Sequence, residues 1–182
     1  ALARGCSFND KPTHNTISID GKESKMNIGT AIAYYLSKKK IEVIMVSKNL
    51  ENLKKIKQGL IKLGCKESLI SYIASDIMTD EGIDHLISDL PKSKTFYVVQ
   101  SIGMGAGSYK IPNDNIYLPF EQISPELITN ELSLTPAMHR LTLKFVKIFR
   151  KQIKDGQKAK IAVITSMSGE RGYHFGATHV AA

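Results

Sequence analysis

The chain has 182 residues, 42% of them hydrophobic, and 25 Lys and Arg against 17 Asp and Glu give a net charge of +8. This is the length of one domain with enough apolar residues for a core. No run approaches the roughly 20 apolar residues of a membrane span, and the N-terminus lacks the apolar segment of a signal peptide. Cys6 and Cys65 are isolated thiols without metal-ligand spacing, as expected of reduced cysteines in a cytoplasmic protein. Lysines gather at Lys38-Lys39-Lys40, Lys54-Lys55 and between Lys144 and Lys160, at the ends or exposed faces of predicted helices. Such clusters read as solvated surface or as attraction for phosphorylated cofactors or acidic carriers. They contain no interleaved aromatics and no recognised motif, which argues against a nucleic-acid-binding protein.

The elements alternate in type along the chain. A short strand at Ile17-Ser18-Ile19 runs through Gly21 towards a helix opening near Asn27. A strand, a glycine turn and a helix N-terminus make an anion cradle, because first-turn N–H groups lack helical partners and the dipole makes that end positive. Helix Ile28–Ser37 places Ile28, Ile32, Tyr35 and Leu36 on one stripe, and a second strand, Ile41–Val46, is expected to lie parallel to the first. Helix Leu50–Leu63 repeats the helical period, with Gly64 as its C-terminal stop. A third strand, Leu69–Ala74, leads to Asp76, then to a helix capped by Thr79 or Asp80 and closed by Pro91. The fourth strand, Thr95–Gln100, is followed by a small-residue loop from Ser101 to Gly107 and a polar stretch from Tyr109 to Pro125. A long helix, Glu126–Ile153, is predicted to kink at Pro136 and to precede a fifth strand, Ala159–Thr165. Apolar strands joined by helices predict a single α/β domain with a doubly wound parallel, Rossmann-like sheet.

Open α/β sheets bind ligands at the carboxyl ends of their strands, and small or polar residues recur there in this chain. Gly21 marks the first turn, although the strict G-x-G-x-x-G fingerprint is absent. Ser47 and Lys48 end the second strand. Without a carboxylate for the adenosine ribose, and with Lys48 as a point charge for a 2′-phosphate, the pair favours NADP(H) over NAD(H). Asp76 either accepts from an adenine amino group or caps the following helix. Ser101-Ile102-Gly103 lets a cofactor lie against the backbone.

In this order the chain resembles a short-chain dehydrogenase/reductase from about Ile17 to Ala182. Its loops are similar to those of the enoyl-thioester-reductase branch. That branch's Gly, Ser-Ile and Gly-Ile-Ala correspond to Gly21, Asn27-Ile28 and Ala31-Ile32-Ala33, and its Ser-Ile-Ala loop to Ser101-Ile102-Gly103. The resemblance implies cofactor contacts at Gly21, Asn27, Ile28 and Gly29, a cofactor-selecting pair Ser47-Lys48, and an adenine-contacting pair Asp76-Ile77. It implies a catalytic serine at Ser166, with Ser133 in the place of the family's helix Asn. The family's tyrosine position holds His179, and its lysine would fall just past Ala182. His179 either donates the proton itself or replaced the tyrosine at the cost of catalysis, and Tyr173 is the alternative phenol. The ending His179-Val180-Ala181-Ala182 carries no helix cap, so a fragment truncated after the fifth strand is expected. The resemblance therefore implies an NADPH-dependent reductase of an enoyl thioester or carbonyl, its substrate free or on an acyl carrier, associating as a homo-oligomer. The competing expectation is a non-catalytic nucleotide-binding or scaffold protein of the same fold. No metal, membrane or nucleic acid is expected.

Overall fold

A computed structural model describes residues 16–92, 95–102 and 124–165. The chain divides into two compact units, residues 1–76 with 84–89 and residues 77–83 with 90–182. Among the described residues, no helix is long and apolar enough to cross a membrane.

The first unit opens with a hairpin of β1 (Thr16–Ile19) and β2 (Lys22–Lys25), antiparallel with Ile19 opposite Lys22. Asp20 and Gly21 form its two-residue loop with φ of 51° and 77°. An Asp-Gly pair with both φ positive is the favoured tight hairpin connection, because its twist matches that of the strands. This corrects the expectation at Gly21, which closes a hairpin instead of leading a strand into a helix. Ile17 faces inward and is buried, while β2, Lys-Glu-Ser-Lys, is exposed throughout and serves as a polar edge strand.

Helix α1 (Ile28–Lys38) is capped by Asn27. The stripe named from periodicity is only half-buried. The fully buried residues are Thr30, Ala31, Ala33, Tyr34 and Ser37. Small side chains there let the helix approach its neighbours closely. Ser37 reinforces the contact by donating to the Ala33 and Tyr34 carbonyls (2.8 and 2.9 Å), and its Oγ lies 3.2 Å from the buried Cys65 Sγ. β3 (Val43–Ser47) and β4 (Ile70–Ala74) are parallel, in register from Val43 opposite Ile70 to Ser47 opposite Ala74. Between them runs α2 (Leu50–Lys62), capped by Asn49, whose Oδ1 accepts from Asn52 N–H at 2.9 Å. Gly64, at φ 82°, ends α2 as expected; its N–H donates to Ile61 and that of Cys65 to Leu60, the paired bonds of a left-handed helix stop. Ile17, Met26, Ala31, Ala33, Tyr34, Leu60, Cys65 and Ile70 form this unit's core.

Helix α3 (Asp80–Asp89) starts at Thr79, whose hydroxyl accepts from Gly82 N–H at 3.0 Å. In the second unit β5 (Tyr97–Gln100) and β6 (Lys160–Val163) are parallel, with Tyr97 opposite Lys160. The single long helix expected before β6 is two: α4 (Pro125–Leu132) and α5 (Leu134–Lys154), broken at Ser133. Pro136 therefore lies in the first turn of α5, where a missing N–H breaks no helical bond, so it starts a helix instead of kinking one. Ala137, Leu141, Phe145, Phe149 and Gln152 form the buried stripe of α5.

Candidate functional site

Three groups named from the sequence gather in the first unit. Helix α1 packs on β3 and joins it through residues 39–42, so the α1 N-terminus points to the carboxyl end of β3. There Asn27 Oδ1 accepts from Thr30 N–H (2.8 Å), and its carbonyl takes the first helical bond from Ala31 N–H (2.9 Å). The N–H groups of Ile28 and Gly29 precede that bond and have no helical partner. Asn27 is exposed and Ile28 and Gly29 half-buried, so this end is open to an anion. With β2 interposed, Gly21 is not part of the first turn of α1.

Ser47 and Lys48 follow at the tip of β3, both exposed. The Ser47 carbonyl accepts from Ser75 N–H (2.9 Å), which carries the ladder one residue past β4, and its hydroxyl accepts from Asn49 N–H at 3.5 Å. Lys48 forms no ion pair among the described residues, so its ammonium is available at the strand tip. Asp76 follows Ser75 and is half-buried. The arrangement offers two amides, a cation and a carboxylate at one end of a parallel pair. That set can hold a phosphorylated nucleoside.

The hairpin is tied to α2. Lys55 Nζ donates to Asp20 Oδ2 at 2.7 Å, and that bond, with the carboxylate's charge, raises the Lys55 pKa above 10.5.

In the second unit, Ile77 is buried and Ser101 and Ile102, beyond β5, are half-buried. Ile164 N–H donates to the Gln100 carbonyl at 2.8 Å and pins the strand just before them. Gln100 is a residue that sequence reasoning missed. Its side chain is 2% exposed, and Nε2 donates to Thr142 Oγ1 on α5 at 2.9 Å. The Thr142 hydroxyl gives its one proton to the Met138 carbonyl (2.8 Å), so it must accept from Gln100, which fixes the amide orientation. Among the described residues, Gln100 Oε1 is buried without a partner. The signal in the sequence is an amide closing the apolar run Tyr97-Val98-Val99. Arg140 of α5 ties down the segment after Ile77, with Nε 2.7 Å from Asp80 Oδ1 and Nη2 donating to the Met78 carbonyl at 3.2 Å. Gly103, Ser166, Tyr173 and His179 lie outside the described residues.

No family model and no curated protein matches the sequence. Solved structures do. A short chain dehydrogenase from Mycobacterium smegmatis superposes with a TM-score of 0.69 at 19% identity, over 87% of this chain and 61% of that one. The bulky-bulky ketone specific alcohol dehydrogenase from Comamonas testosteroni gives 0.64 at 16% identity, over 84% and 57%. The closed form of serine dehydrogenase complexed with NADP+ gives 0.61 at 15% identity, over 84% and 56%. The chain thus spans about three fifths of the length of these proteins. Two parallel strand pairs joined through helices, with this likeness across most of the chain, give it the Rossmann-like α/β fold of the short-chain dehydrogenases/reductases.

Proposed function

We propose that the chain is the nucleotide-binding part of an NADPH-dependent oxidoreductase of the short-chain type, acting on an enoyl thioester, free or on an acyl carrier, or on a carbonyl. The observation that carries this reading is the edge formed by β3, β4 and the start of α1. Exposed Ser47 and Lys48 stand at the β3 tip beside two helix amides without helical partners. The similarity to dehydrogenase structures, one of them complexed with NADP+, supports it.

Ile28 and Gly29 N–H would hold the pyrophosphate, helped by the positive end of α1. Lys48 would meet the 2′-phosphate as a point charge, and Ser47 adds no competing negative charge. Asp76 would accept from the adenine amino group, with Ile77 alongside it in sequence. Ser101, Ile102 and Gly103 would form the small-residue loop that lets the cofactor lie against backbone. Gly21, as a hairpin turn, is dropped from this set. The bound cofactor supplies a hydride from its nicotinamide C4 to the carbonyl carbon or to the enoyl β-carbon. Ser166 would hold the substrate oxygen as negative charge grows on it, and Tyr173 or His179 would deliver the balancing proton.

The test is fluorescence titration of the protein with NADPH and with NADH, before and after Lys48→Glu. The reading expects NADPH affinity to fall at least about tenfold, since a charge-assisted bond is replaced by repulsion, with little change for NADH. An equal loss for both cofactors, or no binding of either, overturns it. Because His179 stands at the tyrosine position, a catalytically silent nucleotide-binding member is the second reading. Saturable NADPH binding without turnover of any ketone or enoyl thioester would favour that one.

A further inference from the structure

Helix α5 grips the chain at both ends of β5 through amide side chains. At the carboxyl end, Gln100 Nε2 donates to Thr142 Oγ1 at 2.9 Å. At the amino end, Gln152 Nε2 donates to the Thr95 carbonyl at 3.0 Å and to the Lys92 carbonyl. Both glutamines are buried, Gln100 at 2% exposure and Gln152 at 6%. On α5 the two contacts lie ten residues apart, 142 to 152. That is about 15 Å along the helix. On the strand side Thr95 and Gln100 lie five residues apart. That is about 16 Å of extended chain. Helix and strand therefore run antiparallel with matched spans, and one staple sits near each end.

Apolar packing does not by itself set this alignment. Leu141, Phe145 and Phe149 are buried on the same helix. Their contribution follows the area removed from water and has no direction, so a small slide of helix over strand costs it little. Two directional bonds ten residues apart fix both the height and the tilt. In other respects the arrangement is unfavourable. Among the described residues, Oε1 of Gln100 and Oε1 of Gln152 are both buried without a partner. A buried acceptor left unsatisfied is destabilising, so leucine or methionine would serve stability better at either position. Half-satisfied amides at both ends of one strand secure position at the expense of stability, the pattern found where a fold serves a site.

What β5 carries at its tip is the segment Ser101-Ile102, which follows Gln100 directly and is half-buried. We propose that Gln100, Thr142 and Gln152 are positioning residues, and that α5 acts as a ruler setting the height of Ser101 and Ile102. This rests on the cofactor reading above, in which that loop lies against NADPH. All three side chains bond within the fold, so they act through the β5 backbone and not by contact with the cofactor. A tie that served stability alone would be felt only at the end where it is made. A ruler transmits the loss of one staple to the opposite end of the strand.

Each staple is removed in turn and the opposite end is read. Gln152→Met keeps the length of the side chain while removing both N–H donors and the orphaned Oε1. Backbone amide NMR of the ligand-free protein should show shifted Ser101 and Ile102 resonances, about 16 Å along β5 from the lost staple. Thr142→Val should likewise shift the Thr95 amide, and Thr142→Ser, which keeps the acceptor, should not. NADPH affinity, followed by fluorescence titration, should fall about two- to tenfold in Gln152→Met and in Thr142→Val, the scale of one misaligned hydrogen bond. Adding Gln100→Leu to Thr142→Val should recover much of the unfolding midpoint and none of the affinity; a merely structural tie would recover both together. The proposal is overturned if the shifts stay beside the substituted residue, or if affinity follows the unfolding midpoint across the set. Thr142→Ser binding NADPH as weakly as Thr142→Val would also overturn it. A parent chain that binds no NADPH overturns the cofactor reading instead, and the ligand-free shifts still decide whether α5 sets the loop.

Discussion

Gly59 of α2 sits where the helix comes closest to β1. A Cβ added there would lie 2.5 Å from Ile17 Cγ1, 2.6 Å from Ile17 Cδ1 and 3.0 Å from the Ser18 carbonyl oxygen. Ile17 is 2% exposed and cannot swing into solvent, and the third contact is backbone, so helix and hairpin must separate. Overpacking of this kind costs about 1–3 kcal/mol, and two close contacts on a buried side chain argue for the upper part of that range. Against it, alanine is better than glycine inside a helix by about 1 kcal/mol. Gly59→Ala should therefore destabilise by about 1–2 kcal/mol. At the sensitivity of a chain this size, that is a fall of about 2–8 °C in Tm. The assay is thermal or urea unfolding of a double-mutant cycle with Ile17→Val, which removes Cδ1 at a cost of about 0.5–1.5 kcal/mol alone. In that background Gly59→Ala should cost clearly less, because the two sites share a contact. A higher Tm for Gly59→Ala, or costs that simply add in the double variant, would refute the close approach.

Thr142→Val keeps the side chain's shape but removes the acceptor for Gln100 Nε2, leaving a buried amide unsatisfied at both ends. It should cost about 1–3 kcal/mol in denaturant unfolding, and adding Gln100→Leu should recover much of that; a neutral Thr142→Val would contradict the assigned bond. Glu126, at the start of α4, has its pKa held below the ordinary 4.5 by its own backbone N–H and by the Ser124 hydroxyl. A depressed carboxyl stabilises fully above its unfolded pKa and loses that contribution as pH falls through the folded one. Tm measured below about pH 4.5 should therefore fall less steeply for Glu126→Gln than for the parent chain, and parallel curves would argue against the shift. Lys55 works at the other extreme. Its raised pKa means the Asp20 pair stabilises fully below 10.5 and is lost as pH rises beyond it, so Lys55→Met should flatten the alkaline limb of the same curve.

Elements whose signals are local were legible in the sequence. The existence of α1 and α2, the start of α1 near Asn27, the stop at Gly64 and the strands from β3 to β6 all need only neighbouring residues. Where the structure departs, a tertiary or competing local preference decided. At Asp20-Gly21 the turn-before-helix reading gives way to a hairpin. The polar run Lys22–Lys25 pairs with β1 as an edge strand, which the turn-before-helix reading did not take into account. Pro136 was expected to bend a helix, yet a proline costs nothing in the first turn, and the chain breaks at Ser133 before it. The buried stripe of α1 is rotated from the most apolar one, because Ala31, Ala33 and Ser37 permit closer packing than Ile28, Ile32 and Leu36. At the candidate site, the placement of Asn27 at a helix start and of Ser47, Lys48 and Asp76 at strand tips was legible because such positions carry local signals. Gln100 was not, because its partner, Thr142, is 42 residues away in sequence.

The account stands on a phosphate-bearing cofactor meeting the first turn of α1. Backbone amide NMR of the protein titrated with NADPH tests this directly. The account predicts saturable shifts concentrated at the Ile28 and Gly29 amides and at Ser47-Lys48, with the Asp20-Gly21 hairpin loop little affected. Shifts that spare Ile28 and Gly29, or that centre on the hairpin, would contradict it.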